Sequence, residues 1–178
     1  MTVEAVLAID PGPTESAWVI WDGKKIRRYG AGFNSQVLNL VGEHGAYGEL
    51  VIEQIAAMGM AVGAEIFETV FWSGRFAQAF GREFHRLPRM TVKMHLCRDS
   101  RAKDGNLRQA IIDRLGAPSR TEHYLGPKGG EKRRVIPGPT AGIVGDQWQA
   151  LALALTWWDR KFPPTPRLGA ISMEEVPF

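Results

Sequence analysis

The chain has 178 residues, of which 44% are hydrophobic and 23% are charged, a composition typical of one globular domain and unlike that of disordered, collagen-like or coiled-coil proteins. No apolar run approaches the ~20 residues of a membrane span and no secretory signal pattern is present, so we expect a cytoplasmic protein. The formal net charge is only +3, and the single cysteine, Cys97, excludes a zinc site built from several cysteines.

The first third of the chain is rich in predicted strands. Short apolar runs that end at turn residues predict strands over 5–10, 17–21, 25–33 and 50–55. Apolar residues at helical spacing predict a short helix over 34–43, before the fourth of these strands.

The rest of the chain is predicted to be mainly helical. Helices are expected over 64–80, 104–115 and 143–161, with a fifth strand over 91–96. The helix over 64–80 is too apolar for a solvated face. It is therefore either deeply buried, which we favour for Phe67 and Phe71, or in contact with a partner chain.

Residues 117–140 are rich in glycine, proline and basic residues and have no periodicity, so we expect a long loop that is either functional or mobile. The order of elements predicts an α/β fold, with a mixed sheet flanked by helices. We expect one domain over 1–162, with a basic loop insertion at 117–140, and an irregular tail over 163–178.

Basic residues are concentrated in the second half of the chain. Nine bases and four acids lie between Arg82 and Arg114, and five bases and two acids between Arg120 and Arg134. Such patches attract polyanions such as nucleic acids. A solvated charged surface would have the same composition, so charge alone does not decide.

Three carboxylates lie in apolar surroundings. Asp10 ends the run VLAID, Glu53 follows LVI, and Asp146 opens the apolar final helix. A carboxylate in such a place is unfavourable unless it is paired or bound to a cation. Asp10 could instead be a turn residue, and Asp146 could complement the helix dipole, but Glu53 has no local structural explanation.

Carboxylates that converge from three segments favour a hard divalent cation. Oxygen ligands suit Mg²⁺ or Mn²⁺ better than zinc. Two such ions about 4 Å apart can activate a water and stabilise the leaving 3′ oxygen in phosphodiester cleavage. Together with the basic patches, this chemistry indicates a metal-dependent nuclease.

Around these acids the sequence resembles the RuvC family of Holliday-junction resolvases, particularly its bacteriophage-type branch. The matching segments are AIDPGPTESAW, LVIEQIAAMGMAVGAEIFET, MTVKMHLCRDSRAKDGNLRQAIIDRLG and GDQWQALALAL, in the family's order. The resemblance implies a ribonuclease-H-like fold with a mixed five-stranded sheet. It also implies a homodimer that uses Mg²⁺ or Mn²⁺ to nick two opposed strands of a four-way DNA junction symmetrically.

The resemblance also assigns roles to residues. It implies that Asp10, Glu53 and Asp146 are catalytic and hold the metal, with two ions per active site. It places Lys103 or Lys93 beside the scissile phosphate. Further candidates for DNA contact come from the two basic stretches: Arg98, Arg101, Arg108, Lys132, Arg133 and Arg134.

The chain departs from the family's pattern in two places near the acids. Gln149 stands where the family usually has another aspartate, three residues after Asp146, and a neutral amide oxygen is a weak ligand. Alanines occupy positions 56 and 57, where the family has a base-stacking aromatic. Met58 and Met60 are nearby apolar side chains that could wedge into the junction.

Other interpretations stay open. An actin-like ATPase also begins with Asp-x-Gly-x-Thr, as Asp10, Gly12 and Thr14 do, but it needs a second domain for which this sequence has no room. A ribonuclease-H-like nuclease for RNA–DNA hybrids or other branched DNA would share the acids. A non-catalytic structure-specific DNA-binding module would share the basic patches and leave the acids unexplained.

Overall fold

A mixed sheet of five strands forms the centre of the structure, a computed structural model that describes residues 5–43, 46–56, 59, 62–127 and 129–163. The strands are β1 (Val6–Asp10), β2 (Glu15–Trp21), β3 (Ile26–Phe33), β4 (Glu49–Gln54) and β5 (His85–Pro88). Their order is β3-β2-β1-β4-β5, with β1, β2 and β3 antiparallel and β4 and β5 parallel to β1. The expected mixed five-stranded sheet is confirmed.

Five helices flank this sheet. They are α1 (Asn34–Val41), α2 (Ala64–Phe80), α3 (Arg89–Cys97), α4 (Asp104–Leu115) and α5 (Gln147–Lys161). The first two lie on one face of the sheet, and the other three lie on the opposite face. The α/β class and the flanking helices are therefore as expected.

Side-chain alternation along β1 divides the core into two clusters. Val6 and Ala8 pack with α3, α4 and α5, whereas Leu7 and Ile9 pack with α1 and α2. Helix α5 crosses β1, β2 and β4 and is buried along its first three turns. The start of α5 is thereby fixed against the carboxyl ends of β1 and β4.

The expected strand over 91–96 is wrong, because this segment belongs to α3. Val92 is buried and Leu96 is partly buried, four residues apart on the core side, while Met94 is exposed. Helical spacing therefore outweighs the β-branched Thr91 and Val92. The fifth strand is β5 instead, a four-residue segment with Leu87 as its one large apolar residue.

The expected irregular loop at 117–140 is also wrong. The basic insertion contains two strands, β6 (Ser119–Leu125) and β7 (Glu131–Pro137), which form a separate antiparallel hairpin. Nearly all of its side chains are exposed on both faces, so the sequence lacks the alternation of apolar and polar residues that marks a half-buried strand.

Helix α2 has the expected bounds, but its burial differs from our expectation. Phe67 and Phe71 are 66% and 58% exposed, so burial was the wrong alternative for them. Helix α5 begins at Gln147 rather than at residue 143. The predicted tail lies outside the described residues from position 164 onwards.

Within the described part of the chain, no helix is both long enough and apolar enough to cross a membrane.

Candidate active site

The pairing of β1 with β4 brings two of the three acids together. The strands are parallel and Ile9 is paired with Ile52, so the next residues, Asp10 and Glu53, lie at the same end of the sheet. Since side chains alternate, Glu53 falls on the same face as the buried Val51, which is the face that α5 covers. Glu53 is only 7% exposed there.

A buried polar network holds the turn that follows Asp10. The Ser16 hydroxyl donates to Asn34 Oδ1 at 2.6 Å, and Asn34 Nδ2 donates to the carbonyl oxygen of Gly12 at 3.0 Å. A Cβ at Gly12 would lie 2.3 Å from the carbonyl oxygen of Glu15, so a larger residue does not fit. These contacts fix the backbone beside the Asp10 carboxylate.

Asp146, the third acid, immediately precedes α5. It occupies the N-cap position, yet its side chain makes no capping hydrogen bond to the helix. Its side chain is exposed and lines a cavity of about 260 Å³ together with Asp10. Capping therefore does not account for Asp146, and the start of α5 brings a carboxylate to the end of β1.

The acids perturb one another electrostatically. The pKa of Asp10 is raised from 3.8 to about 8, first by burial and then by the charges of Glu53, Asp146 and Asp104, against the opposing charge of Arg89. Burial also raises the pKa of Glu53, again in opposition to Arg89. Negative charge is therefore concentrated at this end of the sheet, where a cation would relieve the repulsion.

Arg89 and Asp104 are site residues that the sequence did not reveal. Arg89 Nη1 lies 3.4 Å from Glu53 Oε1, and Arg89 Nη2 lies 3.1 Å from Asp104 Oδ1. Arg89 begins α3 directly after β5, which runs alongside β4, and this order places its guanidinium at Glu53. No local pattern in the sequence predicts this pair, because it depends on α3, most of which the sequence predicts as a strand.

The donor atoms of this site suit a hard cation, although the carboxylates are not assembled around one position. Among the described residues, no three His, Cys, Asp or Glu side chains form a ready metal-binding group. Asp10 and Asp146 line one cavity, whereas Glu53 lines another with Arg89 and Lys93. All donors of the three acids are oxygens, and the raised pKa of Asp10 indicates uncompensated negative charge, so the residues fit Mg²⁺ or Mn²⁺.

The two lysines expected near a scissile phosphate lie near the start of α4. Lys93 is partly buried on α3, with Nζ 3.6 Å from Asp104 Oδ1. Lys103 is exposed and immediately precedes α4, and its backbone N–H donates to Asn106 Oδ1 at 3.1 Å. Both lysines are therefore close to Asp104, which is linked to Glu53 through Arg89.

The other predicted DNA-binding residues fall into two groups. Arg98 and Arg101 are exposed on the connection between α3 and α4, and Arg108 of α4 lies over the Trp148 ring at 5.0 Å. The second group, which lies on β7 of the hairpin and is exposed, consists of Lys132, Arg133 and Arg134. In the first group, Arg108 lines a cavity together with Asp104, whereas the hairpin of the second group is a separate element.

Gln149 is buried and only 7% exposed. It lines a cavity of about 350 Å³ with Asp104 and Arg108, and it is not among the residues that line the Asp10–Asp146 cavity. Its side chain therefore lies toward α4. Met58 and Met60, the predicted wedge residues, lie outside the described part of the chain.

Comparison with known proteins identifies similar folds but no similar sequences. No protein-family model matches the chain, and no curated protein matches it. A structure of Thermus thermophilus RuvC matches with a TM-score of 0.59 and 17% identity, covering 88% of this chain and 96% of that one. T. thermophilus RuvC in complex with a Holliday junction substrate matches with a TM-score of 0.60 and 15% identity, over 86% and 92% of the two chains. At these identities the likeness establishes the fold.

Proposed function

We propose that the protein is a metal-dependent endonuclease that resolves four-way (Holliday) DNA junctions by paired symmetric nicks, and that it belongs to the bacteriophage-type branch of the RuvC family. The observation that carries this proposal is the position of Asp10, which ends β1 beside the end of β4 that bears Glu53 and lines a cavity with Asp146, and whose pKa is raised to about 8 by burial and by the charges of both acids. A bound cation would favour the ionised form of Asp10, which burial and the neighbouring carboxylates disfavour. The similarity of fold to T. thermophilus RuvC, one structure of which contains a Holliday junction substrate, supports DNA as the substrate.

In the proposed reaction, Asp10, Glu53 and Asp146 hold two Mg²⁺ or Mn²⁺ ions through their carboxylate oxygens. When bound, these ions supply the activation of the attacking water and the stabilisation of the leaving 3′ oxygen. The buried network around Gly12 keeps Asp10 in place without metal, so little rearrangement of β1 is required. Glu53 would hold the ion through the carboxylate that now contacts Arg89.

Lys103 and Lys93 supply positive charge where the phosphate becomes more negative in the transition state. Lys103 is exposed at the start of α4 and is free of any ion pair among the described residues, so its ammonium group can approach a phosphate. Lys93 is held near Asp104 and points to the same region. We assign the larger catalytic role to Lys103 and a supporting role in DNA binding to Lys93.

Two opposed cuts require two active sites, and we propose that the protein is a homodimer. Phe67, Val70 and Phe71 form one apolar stripe on α2 and are 66%, 51% and 58% exposed. A monomer that left this stripe in water would have an unusual exposed apolar patch. A second copy of the chain on α2 would cover it.

The proposal is tested by comparing two glutamates of the same strand. Glu53→Gln keeps the shape of the side chain but removes its charge, so we expect the variant to bind a labelled four-way junction and not to cut it in Mg²⁺. Glu49→Gln is the matched control at the other end of β4, where Glu49 contacts His85 and Lys161. We expect Glu49→Gln to cut at a rate close to that of the wild-type protein.

The same assay distinguishes the remaining interpretations when duplex DNA and an RNA–DNA hybrid are included, with EDTA as the metal-free control. Preferred cutting of the hybrid would identify a ribonuclease H instead. Junction binding without cutting by the wild-type protein would identify a non-catalytic module. Undiminished cutting by Glu53→Gln would remove Glu53 from the metal site.

A further inference from the structure

The hairpin of β6 and β7 contributes little to the stability of the domain. Of its strand residues, Glu122 and Ile136 are partly buried and the others are exposed. The two strands pair with each other and, among the described residues, make no extensive contact with another helix or strand. Since an isolated two-stranded hairpin is at best marginally stable in water, its presence points to an interaction outside the domain.

The base of the hairpin is fixed to the domain at the carboxyl end of α4. The backbone N–H of Gly138 donates to the carbonyl oxygen of Pro118 at 2.8 Å, which closes the base. The buried Thr140 hydroxyl then donates to the carbonyl oxygen of Gly116 at 2.9 Å. The chain reaches Asp146 six residues later, so the hairpin emerges from the segment that leads into the site.

The strand register gives the hairpin two different faces. Directly paired residues share a face, and the pairs alternate between the two sides. The face that we call the cationic face carries Arg120, Glu122, Tyr124, Lys132, Arg134 and Ile136. The opposite face has no net formal charge, because its Arg133 is balanced by Glu131.

Side chains on the cationic face are already arranged together. Glu122 lies between Arg120 and Arg134, with contacts of 3.1 and 3.0 Å. The Arg134 guanidinium also lies 5.6 Å from the centre of the Tyr124 ring. Exposed ion pairs of this kind are weak, so the arginines can exchange a carboxylate for a phosphate at small expense in free energy.

We propose that the cationic face of the hairpin binds the sugar-phosphate backbone of a duplex arm of the DNA, beyond the nucleotides at the active site. This inference rests on the proposed function. The cationic face carries three basic residues and one acidic residue, so its net positive charge complements a polyanion. The ring of Tyr124 offers a flat surface beside the sugars. A seven-residue strand extends about 23 Å, enough to contact several successive phosphates, and a two-stranded ribbon fits a DNA groove.

The face assignment is tested with Arg134→Ala and Arg133→Ala, which remove the same charge one residue apart on opposite faces. Binding of a fluorescent four-way junction is measured by anisotropy in EDTA over a range of salt concentrations. Arg134→Ala should weaken binding about five- to tenfold near 0.1 M salt and lower the slope of log K against log salt by about one. The inference removes Arg133, which lies on the opposite face, from the DNA contacts expected from the sequence, so Arg133→Ala should have at most a small fraction of that effect.

Lys24→Ala is the control for a general change in charge, because Lys24 is exposed on the turn between β2 and β3, at the end of the sheet opposite Asp10. It should leave binding unchanged. If the wild-type protein binds four-way DNA and the two arginine variants lose affinity equally, or Arg134→Ala loses none, the hairpin inference is wrong while the proposed function stands. If the wild-type protein binds no such DNA, the proposed function itself fails.

Discussion

Asp10 is a partly buried carboxyl group beside other carboxylates. Its pKa rises from 3.8 to about 8, because burial and the neighbouring carboxylates both disfavour the ionised form. The folded protein therefore binds this proton more tightly than the unfolded chain does. The resulting stabilisation is complete at pH values below the pKa of Asp10 in the unfolded chain. It is lost as the pH rises to the pKa of Asp10 in the folded protein.

We predict that the metal-free protein loses stability between about pH 4 and pH 8, and that Asp10→Asn removes most of this loss. The amide cannot ionise, so the variant should be more stable than the wild-type protein at pH 8, by a few kcal/mol as an order of magnitude. Urea unfolding in EDTA at about pH 5 and pH 8 measures the difference.

Asp113→Asn, at an exposed position on α4, is the control for this experiment and should keep the wild-type pH dependence. Equal pH dependence in Asp10→Asn and the wild-type protein would show that Asp10 does not carry the effect. Addition of Mg²⁺ at pH 8 should restore stability to the wild-type protein more than to Asp10→Asn, because the ion neutralises the carboxylate.

Arg89 is the internal counterion of the metal-free site. Its guanidinium is shared by Glu53 and Asp104, and its side chain is 39% exposed. A cation in this position competes with a divalent ion for the same carboxylate oxygen. Arg89 therefore stabilises Glu53 in the metal-free protein, and it would oppose metal binding at the site that we propose.

We predict that Arg89→Gln lowers the melting temperature of the metal-free protein by about 3–6 °C, since a buried glutamate loses its partner. In the same variant, the rise in melting temperature on addition of Mg²⁺ should be larger than in the wild-type protein. Thermal unfolding with and without Mg²⁺ measures both effects.

Arg114→Gln is a matched control, because Arg114 is 38% exposed and pairs with Asp159 at the far end of α4 and α5. It should also lower the melting temperature but leave the Mg²⁺-induced rise unchanged. A Mg²⁺-induced rise in Arg89→Gln no larger than that of the wild-type protein would argue against competition at Glu53.

At the scale of single elements, the sequence predicts best where burial and periodicity agree. The apolar runs of β1 and β4 are buried on both faces, and both strands were located to within a residue at each end. Helices α2 and α4 were also located correctly, since each has apolar residues at helical spacing and a glycine directly after its last residue. These signals are local, so no knowledge of the fold is needed.

Prediction failed where tertiary contacts decide the structure. The four residues of β5 have too few apolar side chains to identify a strand, and they pair because β4 is already in place. In α3, Val92 and Leu96 pack beneath α5, which is information that the sequence does not contain locally. The two strands of the hairpin are held by their pairing with each other rather than by burial of apolar side chains, so hydrophobic patterning does not reveal them.

The same limit applies to the candidate site. Asp10, Glu53 and Asp146 could be selected from the sequence because each carboxylate adjoins an apolar run. The proximity of Glu53 to Asp10 follows from the parallel pairing of β1 and β4, and that of Asp146 to Asp10 follows from the packing of α5. Arg89 and Asp104 could not be selected, because their contacts depend on the orientation of α3 relative to α4. The catalytic roles of the selected residues stay predictions.

At the scale of the whole molecule, the exposed stripe of α2 predicts self-association. Phe71→Glu places a charge in the middle of the stripe and should convert a dimer into a monomer at micromolar concentration, with an unchanged circular dichroism spectrum. Light scattering coupled to size-exclusion chromatography measures the mass. Paired nicking of a junction should then be replaced by single, uncoordinated nicks.

Leu125→Glu is the control for this change, because Leu125 is 78% exposed on the hairpin and also becomes charged. It should remain a dimer. A wild-type protein that is monomeric under these conditions would contradict the role of α2.

The closed base of the hairpin makes the length of the hairpin independent of the geometry of the acids. Because Pro118 and Gly138 are hydrogen-bonded to each other, the polypeptide leaves the domain and returns at nearly the same place. Lengthening, shortening or exchanging the protruding ribbon therefore leaves the geometry of the acids intact. If the protein is the nuclease that we propose, selection can change how far along the DNA it reaches without altering the acids, and an engineer can do the same by transplanting hairpins.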